Sequence, residues 1–326
     1  MISIIGATHP GQREYNEDCY AADTAAGLAI VADGMGGYAC GEVASDIVKQ
    51  TLEQASAKGG DLAAAIAEAH DAVIDAASAD KTKAGMGSTA VAAKFDGLNY
   101  QVAWVGDSRA YLWDGESELK QITRDHSYVE SLLSTGAISY EEAINHPNRN
   151  LITQAVGVAA EGGLQVGELQ GRLAAGQQLI LCSDGLVDEV LDHDIAKLLA
   201  ESADPEEALN TLIRAAVVAG GHDNITVVIV TADGAINSSD AAIEPQIVRL
   251  TSLGSAADQA TPTQPRPSPA ADITRMGGQP FLVDDDDEDG EGWWQGFKDF
   301  IELNLVALLG ATALIALLVL VLLYFS

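Results

Sequence analysis

The sequence predicts an α+β fold from three observations: short apolar runs that stop abruptly at an Asp-Gly step, alanine-rich stretches with apolar residues three and four apart, and a β-branched run, ITVVIV, after residue 224. With 326 residues, 48% of them hydrophobic, the chain can bury one large core or two modest ones. The remainder is organised around residues 28–37, LAIVADGMGG. Residues 28–32 are apolar and too few for a helix, so they read as a buried strand, and the change of polarity at Asp33 puts its carboxylate at the strand's end. Gly34, Gly36 and Gly37 free the following backbone to take positive φ and to approach a ligand closely. An acid at a rigid strand end beside an uncovered carbonyl suits a hard cation. An Asp-Gly turn joining two strands is the competing reading.

Residues 2–23 read as strand, turn and strand, with Arg13, Asn16, Glu17 and Asp18 bunched between them. Arg13 can grip a phosphate through two parallel hydrogen bonds, and Glu17 and Asp18 supply hard oxygen; a surface charge cluster is the plainer reading. Residues 38–57 and 61–79 are helical in composition and spacing and should pack on a sheet. Residues 87–95 and 98–113 are strand-rich, and the run 101–105 leads into Gly106, Asp107, Ser108 and Arg109. His126 has no second histidine at ligand spacing and reads as a structural hydrogen-bonding residue. Residues 128–156 hold two short helices around Gly136, a polar excursion that is either a surface insertion or a lid beside an active centre. Residues 179–182 form a strand that runs into Ser183, Asp184 and Gly185; a helix starting there turns Asp188 the same way as Asp184. Helices near residues 192–200 and 205–219 follow, and Asp223 and Asn224 then precede the β-branched strand. Asp33, Asp107, Asp184 and Asp223 thus recur at strand ends beside glycine, too often for turns alone.

The formal net charge is −31, and the thirteen acids and four bases from Gly234 onward leave −22 on residues 1–233. Such a surface excludes nucleic acid as a partner and suits a cation-loaded site. Cys19, Cys40 and Cys182 are odd in number and lack metal-type spacing, as in a reducing compartment. The first residues carry no basic, apolar leader of the secretory kind.

Seven short motifs occur in one order: R-x-x-N-E-D at residues 13–18, D-G-M-G-G at 33–37, G-S-T-A at 87–90, G-D-S-R at 106–109, D-H-S at 125–127, S-D-G at 183–185 and D-N at 223–224. In this series residues 1–233 resemble the type 2C metal-dependent serine/threonine protein phosphatases in their compact bacterial form. The resemblance implies an α-β-β-α four-layer sandwich, two central sheets flanked by helices, with a metal centre at one end. It implies two Mn or Mg ions bridged by Asp33, with the Gly34 carbonyl completing one and Asp184 and Asp223 the other. Glu17 and Asp18 would hold metal-bound waters or touch the metals directly, with Asn224 supporting. Asp107 and Asp188 would take a third ion, Arg13 would hold the phosphate, and residues 128–156 match the family's flap. A water activated by the two metals would attack phosphorus, so no Ser, Cys or His nucleophile is required. Some members carry a histidine after Asp-Gly as a candidate general acid; Met35 stands there in this chain.

The C-terminal third differs in character. Residues 234–291 read as a disordered linker, proline-rich at 261–270, with seven acids among residues 284–291. An EF-hand loop in that acidic run is excluded, because Gly296 occupies the twelfth position. Trp293, Trp294, Phe297 and Phe300 give residues 292–303 the look of an interfacial aromatic belt. A transmembrane helix is expected over residues 304–325: the 21 residues 305–325 are uncharged and as a helix would span about 31 Å, against a hydrocarbon core of about 30 Å. Only Ser326 follows, which suggests a single-pass C-terminal anchor with the catalytic domain in the cytoplasm. The function expected is a membrane-anchored phosphatase acting on phosphoserine and phosphothreonine proteins and opposing a Ser/Thr kinase. A silent phosphoprotein-binding module is the alternative, disfavoured because every placeable metal acid is present.

Overall fold

The computed structural model describes residues 1–36, 40–160, 162–234 and 243–253. The chain begins with strands β1 (Ile2–His9), β2 (Asp18–Asp23) and β3 (Leu28–Met35), followed by helices α1 (Gly41–Ala57) and α2 (Leu62–Ala79). Strands β4 (Gly87–Ser88), β5 (Ala90–Asp96), β6 (Asn99–Val105), β7 (Arg109–Trp113) and β8 (Leu119–Gln121) come next, then the short helices α3 (Tyr128–Ser134) and α4 (Tyr140–Ile144). After β9 (Leu164–Arg172) and β10 (Gln178–Cys182) come α5 (Asp184–Val187), α6 (Asp192–Glu201), α7 (Pro205–Ala219), β11 (Ile225–Ala232) and β12 (Ile243–Leu253).

Two antiparallel sheets result, one in the order β1-β11-β10-β7-β8, the other β12-β9-β6-β5-β3-β2 with β4 paired to β3. The period of two along each strand decides which layer a side chain enters. Leu28, Ile30 and Ala32 of β3 face one core with Val48 and Leu52 of α1 and Ile66 and Val73 of α2. Ala29 and Val31 face the other way, into a central core with Val91, Trp104, Leu179, Leu181, Val228 and Val230. Ile180, Val227 and Ile229 point outward from the second sheet onto Ile195 of α6 and Leu209 and Leu212 of α7. These three cores separate four layers, the α-β-β-α sandwich that the resemblance implies.

Local chemistry accounts for the helix starts. Asp61 caps α2 through the Ala64 amide, and Asp204 caps α7 ahead of Pro205 at its first position. Ser127 caps α3, and Ser139 with Glu142 forms a capping box on α4. Helix α1 has no side-chain cap of its own at Cys40; Glu17 Oε1 instead accepts the Gly41 amide at 3.1 Å.

Three places differ from the sequence reading. Strand β3 runs past Asp33 to Met35, because Gly34 and Met35 pair with Ser88 and Gly87. Strand β9, where the sequence suggested no element, contains Gly167 and Gly171, which depress its strand signal. Each lies opposite an aromatic residue of β6, Trp104 and Tyr100, and a Cβ at either glycine would collide with that ring. Strand β12 corrects the linker reading for residues 243–253: it pairs with β9 from Ile243↔Arg172 to Leu253↔Leu164. Pro245 and two register shifts break its alternation, and an edge strand tolerates both. Among the described residues no helix is long and apolar enough to cross a membrane. The predicted span 304–325, the aromatic segment 292–303 and the acidic run lie outside the described residues.

Candidate metal centre

Five acids gather where β2, β3, the β6–β7 loop, the β10–α5 junction and the start of β11 approach one another. Asp18 and Asp33 sit opposite each other in the β2–β3 ladder. Asp184 opens α5, and the Asp188 amide bonds the Asp184 carbonyl at 2.8 Å, as the i+4 spacing suggested. Burial, and then the charge of Asp18, hold the Asp33 carboxyl well above the usual carboxylate range. Asp184 is raised in the same way by burial and by Asp107. Burial pushes Asp18 up to about 6 against the opposing pull of hydrogen bonds from Thr226 and Ser183. It pushes Asp107 up to about 7, with Asp125 adding to it.

Among the described residues no three His, Cys, Asp or Glu side chains are already gathered as a closed metal cluster. Asp18 Oδ1 and Asp184 Oδ1 are buried and have no hydrogen-bond partner. An orphaned carboxylate oxygen in a low-dielectric site requires a proton or a cation. The donor set is oxygen alone, from carboxylates and the Gly34 carbonyl, which suits Mg or Mn. The residues fit a hard divalent ion.

The remaining predicted residues fall around this group. Arg13 lies beyond β1, half-exposed, and its Nη2 donates to Asp223 Oδ2 at 2.7 Å while its Nε donates to the His222 carbonyl at 3.1 Å. Asp223 Oδ1 accepts its neighbour's amide, that of Asn224, at 2.8 Å. The Asn224 side chain ties three segments together, accepting the Glu17 amide and donating to the carbonyls of Pro10 and Tyr15. Glu17 spends Oε1 on the start of α1, and its carbonyl accepts the Ser45 hydroxyl and the Gly34 amide. Gly34 is sterically required there, since a Cβ would strike the carbonyls of Gly41 and Glu17. Asp188 accepts Asn150 Nδ2 at 3.0 Å, with Arg149 at 3.9 Å. The excursion 128–156 is thereby held over the centre, above a cavity of about 160 Å³ lined by Asp107, Asp184, Asp188, Asn150 and Leu133.

Several supporting residues were not singled out from sequence. Thr89 Oγ1 accepts the Asp33 amide at 3.0 Å and meets Ser108 Oγ at 2.7 Å, joining β3 to the Asp107 loop. Arg109 grips Asp125 from both Nε and Nη2, at 3.0 and 2.7 Å, and donates from Nη1 to the Tyr111 hydroxyl. Their signal was present in the motifs G-S-T-A, G-D-S-R and D-H-S, but the partners are far apart in sequence. His126 is structural, as expected: Nδ1 accepts the Gly106 amide at 3.3 Å, and burial keeps the ring neutral down to about 4.

Residues 8–131 match the family described as Protein phosphatase 2C. The chain is 37% identical over 216 residues to the serine/threonine phosphatase stp of Listeria monocytogenes, covering 63% of this chain and 84% of the relative. It is 39% identical over 224 residues to the serine/threonine protein phosphatase PstP of Mycobacterium tuberculosis, covering 67% of this chain and 42% of that longer protein. The crystal structure of Mycobacterium tuberculosis PstP/Ppp superposes with a TM-score of 0.65 at 36% identity, over 72% of this chain and 99% of the other. A PstP catalytic domain in complex with two manganese ions superposes with a TM-score of 0.61 at 34% identity, over 72% of this chain and all of that one, 100%.

Proposed function

Since this chain belongs to the protein phosphatase 2C family of metal-dependent serine/threonine protein phosphatases, which use Mn or Mg, we propose that its five-acid centre carries that hydrolysis and that the enzyme works at a membrane against a Ser/Thr kinase. The observation that carries the assignment of the centre is the pair of buried, unpartnered oxygens of Asp18 and Asp184 beside Asp33. Asp33, Asp184, Asp223 and the Gly34 carbonyl would hold two ions, with Asp18 and Glu17 next to them, and Asp107 and Asp188 would hold a third. When bound, the ions supply Lewis acidity that lowers the pKa of water and offsets charge on the phosphoryl oxygens.

The chain's own groups do the rest. Asp33 and Asp184 enter the reaction ionised, and the desolvation that raises their proton affinity also strengthens their hold on a cation. Arg13 orients the phosphoryl group: its half-exposed guanidinium reaches solvent and keeps donors beyond the two spent on Asp223 and the His222 carbonyl. Met35 has no proton to give, so protonation of the departing serine or threonine oxygen falls to water or to another group of the chain. Residues 128–156, tied to Asp188 through Asn150, form the wall against which the phosphoprotein lies.

The membrane part of the proposal is supported by the uncharged stretch 305–325 and by the aromatic residues just before it. Phosphate release from a phosphothreonine peptide should require Mn, stop in EDTA and return when Mn is restored; turnover unaffected by EDTA would refute the assignment. Full-length protein should float with lipid vesicles, and a variant lacking residues 304–326 should remain in solution with full turnover. Flotation of both, or of neither, would remove the anchor.

A further inference from the structure

The two oxygens of Asp18 are treated very differently by their surroundings. Oδ2 accepts the Thr226 hydroxyl at 2.6 Å and the Ser183 hydroxyl at 2.9 Å, whereas Oδ1, equally buried, accepts nothing. Asp18 is 6% exposed, and Ser183 and Thr226 are 0% exposed, so solvent does not compete for these bonds.

Proton counting fixes the direction of each bond. The single hydroxyl proton of Thr226 goes to the carboxylate, so at the 2.7 Å contact between Thr8 and Thr226 the donor is Thr8. Thr8 Oγ1 in turn accepts Asn16 Nδ2 at 2.9 Å, and Asn16 Oδ1 accepts the backbone amide of Asp18 at 3.1 Å. The circuit closes on the residue where it ends. Ser183 is oriented in a similar way: its oxygen accepts the Thr226 amide at 3.0 Å, and its proton goes to the Asp18 carboxylate at 2.9 Å, shorter and charge-assisted, over the Asn224 carbonyl at 3.4 Å. Each donor is polarised by the one behind it, which strengthens its bond to the carboxylate. These bonds tie β1, β2, the β10–α5 junction and β11, bridging the two sheets at the site's end of the sandwich.

We propose that Thr226 and Ser183 are positioning residues: together they saturate Asp18 Oδ2, hold the carboxylate in one rotamer, and so dedicate Oδ1 to the cation centre. The inference rests on the reading of that centre as a metal site. It gives Asn16, Thr8, Ser183 and Thr226 a shared task, which is to present one oxygen of a buried acid, already aimed.

The test is Mn titration calorimetry on the full-length protein in detergent, with a thermal melt in EDTA to establish folding. Thr226→Val keeps the shape and removes the hydroxyl; it should weaken Mn binding roughly ten- to a hundredfold, the range for groups that orient metal ligands. Thr226→Ser restores the donor and should return affinity to within about threefold of wild type, which a purely packing role of the threonine methyl would not do. Ser183→Ala removes the second donor and should also weaken binding about tenfold, which keeps the test available if Thr226→Val does not fold. Wild-type affinity in a folded Thr226→Val or Ser183→Ala protein overturns the proposal, as does failure of Thr226→Ser to recover it. Asp33→Asn separates the two layers of argument: if it leaves Mn binding intact, the metal-site reading itself fails, whereas its loss alongside unchanged Thr226→Val binding refutes only the positioning role.

Discussion

Arg109 shows how a residue outside the donor set holds the centre, and Gly34 how sterics fix a residue whose carbonyl would belong to it. Arg109→Met removes the two-point grip on Asp125 and leaves a carboxylate whose side chain is 11% exposed with the Gln121 amide but without its counter-charge, a loss of about 3 kcal/mol in urea unfolding. Because that grip anchors the strand that follows Asp107, the same variant should need more Mn for half-maximal turnover. Gly34→Ala should do more damage than any propensity scale suggests, since its Cβ meets two backbone carbonyls that cannot move aside. At this scale Asp33, Asp107 and Asp184 were legible in the sequence because each one follows an apolar run and touches glycine. Thr89, Ser108, Ser183 and Thr226 were not, because a buried hydroxyl is recognisable only once its partner is known, and the partners lie 19 to 208 positions away.

At the scale of elements, the junction between β2 and α1 is the place where structure and chemistry share a residue. Glu17 is expected to serve the metals, and its Oε1 also accepts the first amide of a 17-residue helix that lacks a cap of its own. Glu17→Ala should therefore lower stability by about 1 kcal/mol in EDTA as well as in Mn, a loss independent of metal that chemical denaturation will read. A residue serving only the ions would show the loss in Mn alone. Most elements could be read from period and capping, including the paired short helices of residues 128–156. Strand β9 could not, since its glycines exist to admit the rings of Trp104 and Tyr100, a tertiary reason with no local trace. Strand β12 was hidden by Pro245 and by two register shifts that scramble its alternation. A catalytic fragment should accordingly end after residue 253 rather than near 233, and the shorter form should unfold at lower urea because it exposes the edge of β9.

For the molecule as a whole, the ends of two sheets concentrate acids that repel one another, in a chain of net charge −31. Without metal, Asp18 and Asp107 keep their protons in the folded state up to about 6 and about 7, whereas the unfolded chain releases them near 4. Their contribution to stability is therefore present at pH 4 and is lost as pH rises toward 7. His126, kept neutral down to about 4, acts in the opposite sense, but equally with and without metal. The increment in unfolding free energy on adding Mn should therefore grow from pH 5 to 7.5, as ions replace protons at the same oxygens. An increment that is flat with pH would place Mn elsewhere. The acidic surface should also favour phosphosites with basic neighbours, and equal turnover of basic and acidic phosphopeptides would count against that. The sandwich and the five-acid end were both readable from the order of seven short motifs; the one-oxygen presentation of Asp18 emerged only from three-dimensional contacts. The account stands or falls most directly on Mn-dependent phosphate release by Asp33→Asn beside wild type. A loss of more than about a hundredfold is expected with the fold intact, because Asp33, flanked by Asp18 and Asp184, would hold the ions. Turnover within a few-fold of wild type would contradict the assignment of this site.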